Sequence, residues 1–194
     1  MLNGKKLERS YRMKTSDLTH IALSTAFLCV CAQISLPLPF FPVPFTLQVF
    51  AIFFLSILLL PRQSFIAVLI YVVLGALGLP VFAGGSSGIG ILLGKTGGFL
   101  LSFPFCAYLV SWTHRRFNKY GYWVGVIIGL SLTYIAGTLQ LSFITKTPIG
   151  AIVWGMLPLA LMDLIKAVVA FTVASPITRI LKQLVPTFTE RRAG

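Results

Sequence analysis

The sequence predicts an all-α integral membrane protein with six transmembrane helices and both termini in the cytoplasm. Three observations carry this reading. The chain of 194 residues is 57% hydrophobic and only 10% charged, with a mean hydropathy of +0.91, whereas a soluble domain carries roughly 25% charged residues. Its apolar residues gather into runs near the ~17–25 residues that span a bilayer. Its basic residues sit in short clusters between alternate runs. The net charge of +12 therefore does not form the continuous basic surface that a nucleic-acid partner would need. The partner it implies is the lipid bilayer.

The runs are Leu18–Leu36, Phe45–Leu60, Gln63–Leu79, Gly97–Thr113, Tyr122–Thr145 and Leu159–Lys182. Between them lie a proline-rich loop (37–44), a minimal turn at Pro61-Arg62, a glycine-rich loop (80–95), a basic loop (114–119) and a final loop (146–158). The whole chain, 1–194, reads as one membrane domain: a basic tail to residue 17, a six-helix bundle over 18–182 and a tail over 183–194. The start is basic, but several apolar runs follow the first, so Leu18–Leu36 is expected to be a retained span and not a cleaved signal. Lys5, Lys6, Arg9, Arg12 and Lys14 precede the first span; Arg62, Arg115, Arg116 and Lys119 occupy the second and fourth connections; Arg179, Lys182, Arg191 and Arg192 mark the end. Only Lys95 and Lys146 fall on the other side. The positive-inside rule then places both termini in the cytoplasm and the proline-rich, glycine-rich and final loops outside.

Asp163 is the only acidic residue between Asp17 and Glu190, and it shares an apolar run with Lys166. An ionisable group at the centre of a membrane helix costs about 2.5–3.5 kcal/mol on insertion scales, and a spacing of three puts both on one helix face. With Pro158 read as the helix start, Asp163 is expected about 8 Å into the membrane at ~1.5 Å per residue, with Lys166 one turn deeper, beneath three external loops. That is the geometry of an outward-opening solute pocket. A channel would repeat polar residues along its depth. A purely structural ion pair is the alternative, though a buried pair is weak evidence for stability. A cyclic urea would satisfy both groups, its N–H donating to the carboxylate and its oxygen accepting from the ammonium.

Enzyme chemistry has little to build on. His20 and His114 fall near or within the cytoplasmic side, so no Ser-His-Asp arrangement assembles with Asp163. A single embedded acid cannot cage a metal, and Cys29, Cys31 and Cys106 lie in apolar runs without ligand spacing and read as small core residues. No catalytic residue, metal or cofactor is expected. Gly94-Lys95-Thr96 lacks the earlier glycine of a phosphate loop, since Ile89 stands there. The glycines around Gly84 and Gly85 read either as a flexible outer loop or as backbone that approaches a small ligand closely. Beside them Phe82 stacks on that ligand or packs against lipid or protein. Tyr134 reads as an interhelical hydrogen bond, with ligand contact as the alternative. Ala22 and Ala26, one turn apart, let another helix approach closely, inside this bundle or from a partner.

Four fragments in order resemble the BioY family: Pro42-Val43-Pro44-Phe45-Thr46-Leu47-Gln48-Val49; Gly75-Ala76-Leu77-Gly78-Leu79-Pro80-Val81-Phe82-Ala83-Gly84-Gly85; Gly94-Lys95-Thr96-Gly97-Gly98-Phe99; and Asp163-Leu164-Ile165-Lys166. The resemblance runs from about Ala22 to Lys182. It implies the six-helix fold of a substrate-binding (S) component of energy-coupling-factor transporters, in the bacterial cell (inner or plasma) membrane. It also implies high-affinity biotin binding from outside, and partnership with a transmembrane coupling subunit and two cytoplasmic ATPase subunits. Asp163 and Lys166 would recognise the ligand, with Thr46, Gln48, Phe82, Gly84 and Gly85 as further contacts, and Ala22 and Ala26 would face the coupling subunit. Lys95 departs from the family, which has proline at that point of the string. The alternatives are a self-sufficient, proton-coupled vitamin carrier, an S component for another vitamin, and a membrane scaffold without a small ligand.

Overall fold

The computed structural model describes residues 15–37 and 43–184, with side chains to residue 180. The N-terminal basic cluster, the centre of the proline-rich loop, the side chain of Lys182 and the C-terminal Arg191 and Arg192 lie outside the described residues. In chain order the elements are α1 (Thr15–Gln33), β1 (Ser35–Leu36), β2 (Phe45–Thr46), α2 (Gln48–Leu58), α3 (Pro61–Ala76), a 3₁₀ turn (Ala83–Gly85), α4 (Ile89–Leu92), α5 (Gly97–Thr145) and α6 (Ile149–Leu184). The short strands pair antiparallel, Ser35 with Thr46 and Leu36 with Phe45. Among the described residues α1, α5 and α6 are long and apolar enough to cross a membrane, and α2 and α3 are shorter apolar helices.

Each predicted run overlaps a helix, though most ends shift: Phe45 and Thr46 form a strand, Pro61 and Arg62 open α3 instead of forming a turn, and α3 stops at Ala76. Three further differences bear on the fold. The run over 18–36 stops at Gln33, because Ser35 and Leu36 turn into the ladder that closes the proline-rich loop. The basic connection at 114–119 is mostly helix: α5 continues through His114, Arg115 and Arg116 and breaks only at Phe117 and Asn118. There Asn118 takes a φ of 53°, a positive value that asparagine accepts more readily than most residues. The third difference matters most for the site. Pro158 does not start the last helix; α6 begins at Ile149, and Pro158 lies inside it. The start signal belongs to Pro148, whose carbonyl accepts the N–H groups of Ala151 at 3.0 Å and Ile152 at 3.3 Å. An interior proline removes one backbone donor, a loss that membrane helices tolerate when neighbours cover it. Asp163 is therefore about 21 Å along the helix from its first residue, at ~1.5 Å per residue, and not some 8 Å.

Apolar burial cannot by itself drive helices together in lipid; close packing and interhelical hydrogen bonds do so, and both are visible. The Thr25 hydroxyl donates to the Ala67 carbonyl at 3.0 Å, joining α1 to α3. Ser56 reaches the Ala107 carbonyl at 3.2 Å, joining α2 to α5, and Tyr122 reaches the Ala167 carbonyl at 2.8 Å, joining α5 to α6. At the α2–α3 corner the Leu59 carbonyl accepts from Ser111 at 2.8 Å and from Arg115. The two halves of α5 fold back on each other so closely that a Cβ on Gly125 would stand 2.8 Å from Val110 Cα and strike the Thr113 hydroxyl. Large apolar side chains such as Leu23, Val30, Phe143 and Trp154 remain exposed on the outer surface, as a lipid-facing surface requires.

This packing makes a testable distinction between glycines. Gly125→Leu should overpack the α5 hairpin at a cost of about 1–3 kcal/mol and lower the melting temperature in detergent. Gly150→Leu, where a Cβ meets nothing within 4 Å, should leave it nearly unchanged. Equal melting temperatures for the two variants would show that the hairpin is looser than described.

Candidate functional site

The site grows from one face of α6. Met156, Leu159, Asp163 and Lys166 are spaced three, four and three residues apart, which stacks them on a single helix face, and all four line a cavity. Asp163 and Lys166 are each more than nine-tenths buried. Lys166 Nζ donates to Asp163 Oδ1 at 2.7 Å, and Tyr134 Oη, from the second half of α5, donates to Oδ2 at 2.9 Å. The ammonium also sits 3.9 Å from the centroid of the Phe45 ring, where the negative face of the ring stabilises a cation. Each carboxylate oxygen has one partner and lone-pair capacity for another, and the ammonium retains two further donors. The pair is thus held in place while still able to take up hydrogen bonds.

Its surroundings are mainly apolar and aromatic. Phe45 and Thr46 come from β2, Gln48 from the start of α2, Phe82 and Ser86 from the turn after α3, and Phe99, Phe103, Thr133 and Tyr134 from α5. The cavity they enclose has a volume of about 70 Å³, smaller than the ~300–1,000 Å³ typical of small-molecule sites. Glycines make room for two of the walls. A Cβ on Gly75 would collide with the ring of Phe82, and one on Gly137 with the ring of Phe99. Phe82 then meets Tyr71 edge-on at 5.6 Å, with the Tyr71 hydroxyl accepting from Gln48. Phe99 meets Tyr134 edge-on at 5.7 Å, supporting the ring whose hydroxyl holds Asp163.

The glycine-rich segment predicted as a loop is in part structured. It contains the 3₁₀ turn and α4, and two glutamine side chains tie it down. Gln33 Nε2 donates to the Pro80 carbonyl at 3.3 Å; Gln140 Nε2 donates to the carbonyls of Leu92 at 2.7 Å and Gly94 at 2.9 Å. Gly84 and Gly85 take φ values of 63° and 77°, a region that favours glycine.

Of the residues singled out from sequence, Asp163, Lys166, Thr46, Gln48 and Phe82 all line this one cavity. Gly84 and Gly85 do not; they shape the turn that presents Ala83 and Ser86 to it. Ala22 and Ala26 are exposed on α1, away from the lining, and do not pack within the bundle. Lys95 is exposed and outside the lining, while its neighbour Thr96 lines it. Tyr134 makes the interhelical bond expected of it. Sequence reasoning missed Phe45, Phe99, Phe103, Thr133, Met156 and Leu159. Met156 and Leu159 were findable, since they continue the spacing of the pair backwards, but reading Pro158 as the helix start put Met156 in a loop.

Comparison with known proteins meets this geometry. The biotin transporter BioY2 of Lactococcus lactis subsp. cremoris is 38% identical over 158 residues, covering 80% of this chain and 86% of that protein. The biotin transporter BioY of Thermotoga maritima is 38% identical over 159 residues, covering 81% and 93%. A crystal structure of the S-component for biotin from an ECF-type ABC transporter superposes with a TM-score of 0.75 at 26% identity, covering 92% of this chain and 95% of that one. The fold is thus that of an S component, in a multi-pass membrane protein. The model of the BioY family matches residues 5–183, and with the relatives it resembles along most of its length, the chain belongs to the BioY family.

Proposed function

We propose that this chain is the high-affinity biotin-binding membrane component of an ECF-type uptake transporter. The observation that carries the reading is the buried Asp163–Lys166 pair at the wall of a largely apolar, aromatic cavity, in a chain whose relatives are biotin transporters. Biotin joins a ureido ring to an apolar thiophane and a carboxylate-ended chain. The ureido N–H groups would donate to the free lone pairs of Asp163, and the ureido oxygen would accept from the two Lys166 donors that Asp163 leaves unused. Neither step requires the pair to part. Phe45, Phe82, Phe99 and Phe103 offer an apolar lining for the thiophane, with Thr46 and Gln48 as further polar contacts. Gly84 and Gly85 would act through the turn they shape.

Six membrane crossings with cytoplasmic termini fit the arrangement of charge. Arg62 begins α3 at the corner where Arg115 meets the Leu59 carbonyl, just past the end of α2. The cavity lies at the opposite end of α2, around Phe45, Thr46 and Gln48. With the basic end in the cytoplasm, the cavity opens outward in the bacterial cell membrane. Ala22 and Ala26, exposed on α1, would seat a transmembrane coupling subunit at close range, and two ATPase subunits bound to it would supply the energy. The chain itself contributes binding and reorientation.

Three outcomes are expected. Biotin should raise the melting temperature of the detergent-purified protein saturably, as a ligand specific for the native state must, while thiamine and riboflavin should not; a flat biotin titration of folded, ligand-free protein refutes the assignment. Asp163→Ala should weaken biotin binding at least tenfold by calorimetry, roughly 1.4 kcal/mol; unchanged affinity removes Asp163 from the site. Ala22→Trp should keep biotin affinity but abolish co-purification with the coupling subunit. A folded Ala22→Trp protein that no longer binds biotin would contradict the assignment of that face.

A further inference from the structure

Among the described residues that line the cavity, one buried hydroxyl lacks an ordinary hydrogen-bond partner. The Thr133 hydroxyl, on a residue 3% exposed, makes no hydrogen bond to a nitrogen or oxygen among the described residues, and Thr133 lines the cavity. This sets it apart from other buried threonines of the bundle. The hydroxyls of Thr25, Thr138 and Thr178 all turn back to the carbonyl four residues earlier, at 2.9, 2.6 and 2.9 Å, a usual refuge for a helical threonine. Thr133 forgoes that bond. What stands against its hydroxyl is the Cys106 thiol, a weak donor and acceptor. A buried hydroxyl left without a good partner is destabilising, a penalty that an arriving polar atom would relieve.

We infer that Thr133 is a ligand-contacting residue, its hydroxyl a third polar point beside Asp163 and Lys166 that hydrogen-bonds the neutral ring head of the ligand. This rests on the biotin reading given above. Two considerations choose the head over the carboxylate tail. Thr133, Tyr134 and Asp163 all line the cavity, the Tyr134 hydroxyl is bound to Asp163, and the Cys106 thiol beside the Thr133 hydroxyl also interacts with the Asp163 carboxylate, so the hydroxyl belongs to the same polar corner. A ligand carboxylate brought to that corner would meet the Asp163 carboxylate in a medium of low dielectric, where like charges repel strongly. A neutral ureido group meets no such barrier, and the hydroxyl can donate to its oxygen or accept from its N–H.

The test is calorimetric titration of the full chain in detergent with biotin and with biotin methyl ester, in which the tail carries no charge. Thr133→Val keeps the shape and removes only the hydroxyl; Thr133→Ser keeps the hydroxyl. Thr133→Val should bind biotin about tenfold more weakly and lose the same factor toward the ester, while Thr133→Ser should stay within about threefold of wild type. Wild-type affinity in a folded Thr133→Val protein overturns the contact and leaves the biotin reading standing. A penalty seen with biotin but absent with the ester overturns the head-group assignment. An equal loss in Thr133→Ser and Thr133→Val overturns a role for the hydroxyl. Wild-type protein that binds neither compound overturns the biotin reading, and this contact with it.

Discussion

The site depends on keeping a carboxylate and an ammonium together inside a mainly apolar bundle. Removing two charges from water costs several kcal/mol per ion, and mutual attraction repays this only with good geometry and further hydrogen bonds. Much of the surrounding structure meets that condition. The 2.7 Å contact supplies the geometry, Tyr134 satisfies the second carboxylate oxygen, and Phe45 places its ring against the ammonium. These partners come from β2, α5 and α6. The pair therefore has its full set of partners only when the strand ladder, the α5 hairpin and the last helix are all assembled.

A cavity beside such a pair needs walls that do not collapse into it. Rigid aromatic rings provide them, and small residues behind the rings make their placement possible. Gly75 admits Phe82 and Gly137 admits Phe99; each ring then leans edge-on against a tyrosine. Those tyrosines bond to Gln48 and to Asp163, so the apolar walls and the polar corner hold one another in register. Packing and recognition are in this sense one network, which explains why so many of the glycines lie on packed helices as well as in the outer segment.

Much of this was legible in the sequence because membrane insertion makes some residues expensive. Asp163 and Lys166 stood out through their cost alone, and the apolar runs fell on helices because lipid leaves the backbone few other choices. The rest was hidden for identifiable reasons. Pro158 carried the signature of a helix start, yet Pro148 used it, so Met156 was taken for loop and its place on the face of the pair went unseen. His114, Arg115 and Arg116 looked like a loop because they are charged, but a helix continues past the apolar region until Asn118 bends it. Phe99, Phe103 and Phe45 were indistinguishable from lipid-facing aromatics until the fold showed which way they point. Gly84 and Gly85 were read as a flexible loop or as backbone close to a ligand; the positive φ values that call for glycine there showed only in the fold.

The position of α1 joins the two ends of the proposed function. Its exposed face carries Ala22 and Ala26, while Thr25 on its buried face bonds to the Ala67 carbonyl on α3. Seven residues beyond Ala26, roughly 10 Å along the helix, Gln33 holds the Pro80 carbonyl at the root of the glycine-rich segment. The hydrogen bond from Gln33 is on a half-exposed edge and is a single contact between uncharged groups, worth only about 0.5–1.5 kcal/mol. The Gln140 anchor at the other end of the segment is double and partly buried. Of the two side-chain fastenings the one on α1 is therefore the weaker, and a backbone bond from Gly88 to the Gly75 carbonyl at 2.7 Å adds a tie to α3. α1 thus carries both the exposed small-residue face and one fastening of the segment that lends Phe82, Ser86 and Thr96 to the cavity.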